Sequence, residues 1–132
     1  MTEKTIFKHV ALQYSDRKQA EIFFTKILEL PLKKTFTVSK ELSNAIFGIK
    51  EEVLVDVYAN DNSYFEIFIT KKQTKYSYEH TCIEINNKEE FIERCKKYDI
   101  EPIFVKKGEK ALLFIKDYVG NLFEIKERQP QE

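Results

Sequence analysis

The chain contains two histidines, His9 and His80, and each opens a run in which apolar and polar residues alternate. Two glutamates, Glu66 and Glu124, sit inside apolar runs, Tyr64-Phe65-Glu66-Ile67-Phe68-Ile69 and Leu122-Phe123-Glu124-Ile125. An unpaired carboxylate in such a strand is costly. Two imidazole nitrogens and two carboxylate oxygens suit a borderline divalent ion such as Ni, Zn, Co, Fe or Mn. The two carboxylates would neutralise the dication; without it they would repel in a shared cavity, and one would have to hold a proton. Four protein ligands in an octahedral shell leave two positions for water or for two neighbouring substrate oxygens. Such an ion could stabilise a developing enediolate while a glutamate or a bound hydroxide takes the proton. The bland alternative is a pair of packed or surface histidines and two solvated glutamates on open sheet faces.

The elements that would position these groups come as a repeat. Lys8-His9-Val10-Ala11-Leu12-Gln13-Tyr14 and Glu79-His80-Thr81-Cys82-Ile83-Glu84-Ile85 share the form of a half-buried strand. Asp16 lies seven residues past His9 and Asn87 seven past His80 (16 − 9 and 87 − 80). Both are good N-caps, with Gln19 and Glu90 three positions on. Apolar stripes at helical spacing follow: Ala20, Phe23, Phe24, Ile27 and Leu28, then Phe91, Ile92, Cys95 and Tyr98. Pro31 and Pro102 each fall 22 residues past their histidine (31 − 9 and 102 − 80), where the chain must turn extended. Strands are expected at Leu32–Val38, Val53–Tyr58 and Tyr64–Thr70, then at Ile103–Lys106, Ala111–Lys116 and Asn121–Lys126.

The fold class is therefore α+β, with two β-α-β-β-β modules. They cover about residues 6–70 and 78–127 of a single domain, with a polar linker at 71–77 and a polar tail at 128–132. The first module is longer by 13 residues between histidine and glutamate (66 − 9 = 57 against 124 − 80 = 44). Most of that surplus falls in 39–52, read as a loop or extra turn.

Strand alternation assigns the faces. Val10, Leu12 and Tyr14, like Phe65, Ile67 and Ile69, should pack beneath the helices, with Phe123 and Ile125 doing so in module two. His9, Glu66, His80 and Glu124 then all lie on the opposite faces, and they converge if the two sheets curl around one cavity. Gln13, Tyr64, Phe68, Cys82 and Leu122 share those faces and would line a substrate pocket. Cys82 reads more readily as a small core thiol than as a catalytic one. Lys126 and Glu84 read as rim residues paired with each other. Lys71, Lys72 and Lys75 read as a solvated linker, with attraction for an anionic substrate as the sharper alternative.

Composition sets the limits. Hydrophobic residues make up 42% of the 132 positions and aromatics 14%, enough for a real core. Lysine plus arginine (22) balances aspartate plus glutamate (22), so nothing favours nucleic acid or an anionic membrane over long range. No run approaches 18 apolar residues, and the charged N-terminus does not look like a signal peptide. A cytoplasmic protein with reduced Cys82 and Cys95 is expected.

In these segments, and in Asp117-Tyr118-Val119-Gly120-Asn121 before Leu122-Phe123-Glu124-Ile125, the chain resembles the vicinal-oxygen-chelate superfamily. That superfamily includes glyoxalase I, bleomycin-resistance proteins and extradiol dioxygenases. The resemblance runs from about Ile6 to Glu127 and implies the glyoxalase/bleomycin-resistance fold, a curved mixed-sheet cavity. It also implies one divalent transition metal on a His-Glu-His-Glu quartet (His9, Glu66, His80, Glu124), as in glyoxalase I. The activity implied is that of a lyase or isomerase of hemithioacetals, with Glu66 or Glu124 as the catalytic base. The partners implied are a small-molecule substrate and a second copy in a homodimer, with the site inside one chain or shared between two. Gln13 stands where glyoxalase I enzymes often carry arginine, so glutathione as the thiol is less well supported than the chemistry. Alternatives are a methylmalonyl-CoA epimerase-like enzyme, an extradiol dioxygenase using the three ligands His9, His80 and Glu124, and a metal-free drug-binding or resistance protein.

Overall fold

The structure, a computed structural model, describes residues 7–71 and 79–128. The linker and tail expected at 71–77 and 128–132 fall almost wholly outside the described residues, as do Lys72 and Lys75. In module one, β1 (Val10–Tyr14) leads to α1 (Arg17–Glu21), which widens into π-helical turns over Ile22–Ile27. Then come β2 (Leu32–Val38), α2 (Lys40–Phe47), β3 (Val53–Ala59) and β4 (Tyr64–Ile69). Module two runs β5 (Thr81–Ile85), α3 (Lys88–Lys97), β6 (Ile103–Lys107), β7 (Lys110–Lys116) and β8 (Leu122–Glu127). The sheets have the orders β1-β4-β3-β2 and β5-β8-β7-β6, and in each the first strand pairs parallel with the last.

Local chemistry places these elements. The Asp16 carboxylate accepts from the Lys18 and Gln19 amides, and Asn87 Oδ1 accepts from the Glu90 amide, capping α1 and α3 as expected. The segment 39–52 is a correction: it is mainly a helix. Ser39 Oγ accepts from the Leu42 amide at 3.1 Å, and Gly48 closes α2 in the left-handed region at φ 71°.

One core serves both modules. The π-helical turns bring Phe23, Phe24 and Ile27 inward together, all fully buried. Phe23 meets Phe123 of β8 at 5.2 Å between ring centroids, and Phe24 stacks on Tyr58 of β3 at 5.1 Å. Phe65 of β4 and Phe123 of β8 stand 6.2 Å apart, so both sheets turn their helix-side faces to a common interior. The predicted inner residues Tyr14, Phe65, Ile67, Phe123 and Ile125 are all buried there. Among the described residues no helix is long and apolar enough to cross a membrane.

Candidate functional site

Each histidine stands one residue before the edge strand of its sheet, β1 or β5, and each glutamate lies on the neighbouring last strand. The parallel register sets Ala11 beside Glu66 and Cys82 beside Glu124, and that offset carries each imidazole to its own carboxylate. His9 Nε2 lies 3.3 Å from Glu66 Oε1, and His80 Nε2 lies 3.7 Å from Glu124 Oε1. The two pairs are also equally sheltered, with glutamate side chains 19% and 20% exposed.

These spacings can be tested against a metal. Donors about 2.1 Å from one ion, at the angles of an octahedral or tetrahedral shell, stand roughly 3.0–3.4 Å apart. The His9–Glu66 pair falls in that range, and the His80–Glu124 pair needs a movement of only a few tenths of an ångström. Each pair therefore fits two adjacent corners of a coordination shell.

The four groups do not meet within one chain. Phe65 and Ile67 flank Glu66, and Phe123 and Ile125 flank Glu124; all four point into the shared core. Alternation then sends the two carboxylates out from the opposite faces of two different sheets. Among the described residues no three His, Cys, Asp or Glu side chains come together as a metal site. The sequence leaves convergence open, and packing separates the set into two half-sites.

The predicted pocket residues divide in the same way. Gln13 and Phe68 line a cavity of about 160 Å³ between the outer face of the first sheet and α2. Phe47 closes on Phe68 edge to face, with centroids 5.5 Å apart. Tyr64 sits beside His9 rather than in this cavity, at 6.0 Å between ring centroids. Cys82 and Leu122 belong to the other sheet. Cys82 is exposed on the His80 face, not a core thiol; burial first, then the charge of Glu124, raises its pKa. Cys95 is the buried one, its thiol pushed up to about 11 by desolvation. Lys126 does not pair with Glu84. Its amine lies 3.7 Å from Glu124, whereas Glu84 faces Arg128 at 3.8 Å.

Two buried carboxylates, Asp117 and Asp56, organise the chain near these strands. Asp117 Oδ1 accepts from the Val119 and Asn121 amides, and Oδ2 accepts from Asn121 Nδ2 at 2.8 Å. This folds Asp117–Asn121 into a turn, with Gly120 at φ 93°, that starts β8 and fixes the register of Glu124. Asn121 Nδ2 also reaches the Gln13 carbonyl at 3.4 Å, tying that turn to the strand that follows His9. Burial raises the Asp117 pKa against the lowering effect of these hydrogen bonds. The neighbouring Tyr14 hydroxyl is buried and makes no hydrogen bond among the described residues; burial and the Asp117 charge raise its pKa strongly.

In module one the buried Asp56 takes a bidentate contact from Arg17, at 2.7 and 2.9 Å, and a hydrogen bond from Thr35 at 2.6 Å. Sequence reading missed this group. Its only signal was an aspartate inside the apolar run Val53-Leu54-Val55-Asp56-Val57.

The two β-α-β-β-β modules have the glyoxalase/bleomycin-resistance fold. Among solved structures, the glyoxalase family protein from Bacillus cereus superposes with a TM-score of 0.73 at 17% identity, over 98% of this chain and 99% of its own. FosX, the genomically encoded fosfomycin resistance protein of Listeria monocytogenes, does so with a TM-score of 0.71 at 14% identity and 96% coverage of each chain. A mutant of that protein has been crystallised with Mn(II) and 1S,2S-dihydroxypropylphosphonic acid. The glyoxalase family protein from Enterococcus faecalis gives 0.71 at 17% identity, over 92% of this chain and 97% of its own. At this identity the likeness is one of fold. The sequence matches no family model and no curated protein.

Proposed function

We propose that the chain is a metal-dependent lyase or isomerase of the glyoxalase I type, with His9, Glu66, His80 and Glu124 as ligands. The observation that carries this reading is the matched pair of half-sites. Two imidazole–carboxylate contacts of 3.3 and 3.7 Å recur at repeat-equivalent positions on two sheets. A bound divalent ion (Ni, Zn, Co, Fe or Mn) supplies Lewis-acid stabilisation of negative charge on the substrate's oxygens. Glu66 or Glu124 would take the proton from the carbon that bears the hydroxyl and thioether groups of a hemithioacetal and return it to the adjacent carbonyl carbon, while the hydroxyl proton passes to the former carbonyl oxygen, leaving an α-hydroxy thioester. Partial burial holds that carboxylate in one geometry and limits competition from water. The neighbour crystallised with Mn(II) supports a divalent ion in this fold.

The half-sites face away from each other, so a complete quartet requires two copies, the first sheet of one against the second sheet of its partner. Exposed apolar groups support that pairing. Ile103 and Val105 lie on the Glu124 face at 37% and 43% exposure, and Leu42, Ile46 and Phe47 stand half-exposed or more on α2. A two-fold axis then generates two equivalent sites per homodimer.

The test is metal content, with complementation. Wild-type protein is expected to hold about one ion per chain, and Glu124→Ala close to none. His9→Ala and His80→Ala should each be empty. Unfolded and refolded together, they form mixed dimers in which one site is intact, and about a quarter of the wild-type metal returns. No recovery on mixing would defeat the shared site. Wild-type protein that stays empty after incubation with all five ions would defeat the metal reading and favour a ligand-sequestering role.

A further inference from the structure

The cavity under α2 defines a class of substrate. It lies on the same sheet face as His9 and Glu66, further along the strands: Ala11 is in register with Glu66, and Gln13 with Phe68. Two residues of strand carry a ligand roughly 7 Å. A molecule with its oxygens at the half-site would therefore lay its remaining body over Phe68 and beneath α2. At about 160 Å³ the space is near the size of cavities that accept benzene. Its walls are mainly apolar, with Phe47, Ile49, Val53 and Phe68 among them.

The charge at this cavity has one sign. Glu51 and Glu52 are exposed residues of its lining, which contains no lysine or arginine. Neither carboxylate forms an ion pair among the described residues. The other polar groups are Gln13, Ser43 and Thr70, with the Thr70 hydroxyl 3.4 Å from Gln13 Oε1. Within the lining an anionic group meets two negative charges and no cation, with Lys50 and Lys71 flanking it in sequence, whereas an ammonium or a neutral ring meets no like charge in that lining.

We infer that this cavity binds the apolar part of a substrate that is neutral or cationic at that end, of about the bulk of one aromatic ring, and that it rejects phosphonates and carboxylates. The inference deepens the proposed function, and rests on it for placing this cavity beside the reacting oxygens. It sets the chain apart from its structural neighbour crystallised with a phosphonic acid.

The probes are benzylamine, benzyl alcohol and phenylphosphonate, which share one ring and differ in charge. Each is titrated into the full-length chain after chelator treatment, so that no metal attracts the anion, and binding is followed by amide chemical shifts. Benzylamine and benzyl alcohol should bind, with shifts at the residues of the cavity, and phenylphosphonate on the order of tenfold more weakly or not at all. The surface variant Glu51→Gln/Glu52→Gln should narrow that gap, chiefly by weakening benzylamine. Phenylphosphonate binding as tightly as benzylamine, an unchanged gap in the double variant, or no binding of any probe would overturn the inference. Metal uptake is measured separately. Probe binding without metal uptake would defeat the proposed reaction and leave the cavity's selectivity standing, and metal uptake without probe binding would do the reverse.

Discussion

The two modules carry the same chemistry on different surroundings. Both open with a histidine beside the carboxylate of the last strand, at 3.3 Å in one and 3.7 Å in the other. Module one adds α2, a cavity beneath it, and the Arg17–Asp56–Thr35 cluster on the opposite face. Among the described residues, module two has no helix between β6 and β7. Its Glu124 face lies open with Ile103 and Val105 exposed, and Leu113 occupies the position equivalent to Asp56, since each is in register with the isoleucine after its glutamate. The repeat keeps the histidine–glutamate pair in both halves, while α2 and the cavity beneath it belong to the first.

That contrast can be broken at several points. The largest effect is expected at Asp56. Replacing it with alanine removes three hydrogen bonds, two of them from a charged partner, and should cost about 3 kcal/mol of stability in urea unfolding. The Arg17 side chain is half exposed and can return to water, which keeps the loss below that of a fully buried pair. A loss below about 1 kcal/mol would show that module one does not depend on the cluster.

Asp117 tests module two through pH. Its folded pKa is raised above the ordinary 3.8 by burial. A raised value means that the folded state binds the proton more tightly than the unfolded chain does. The stabilisation from this group is thus fully present below pH 3.8 and is lost as pH rises through the folded value. The stability difference between wild type and Asp117→Asn should shift against wild type across that window and level off above it. A difference independent of pH between 3 and 7 would contradict the burial argument.

Gly48→Ala acts on the element that only module one has. At φ 71° an alanine is strained, although no atom lies within 4 Å of its Cβ. The expected cost is about 1 kcal/mol, together with weaker binding of benzyl alcohol as α2 frays. The smallest effect belongs to Tyr14→Phe. Its hydroxyl is buried without a hydrogen bond, so removal should leave thermal stability unchanged or raise it by up to about 1 kcal/mol. A clear loss would reveal a hydrogen bond to Asp117.

Much of this was legible from spacing. The caps Asp16 and Asn87, the breaks at Pro31 and Pro102, and the alternation around Glu66 and Glu124 place the strands to within two residues of those observed. They did so because each signal acts within a few residues of chain. The helix at 40–47 was missed although its signs were present, namely Ser39 as cap, Leu42, Ile46 and Phe47 on one stripe, and Gly48 as terminator. Cys82 reads as a core thiol because its type favours burial, but its strand position puts it on the outer face.

The sequence by itself determined the two histidine–glutamate pairs, their repeat-equivalent positions and the face of the strand each glutamate occupies. Period-two alternation and the local caps set all of these. Tertiary structure alone decided that the two donor pairs part company. Phe23, Phe65 and Phe123 draw the helix-side faces of both sheets into one core. Burying those apolar faces together turns the carboxylate faces outward, and no periodicity within either module specifies which face of one sheet will meet the other.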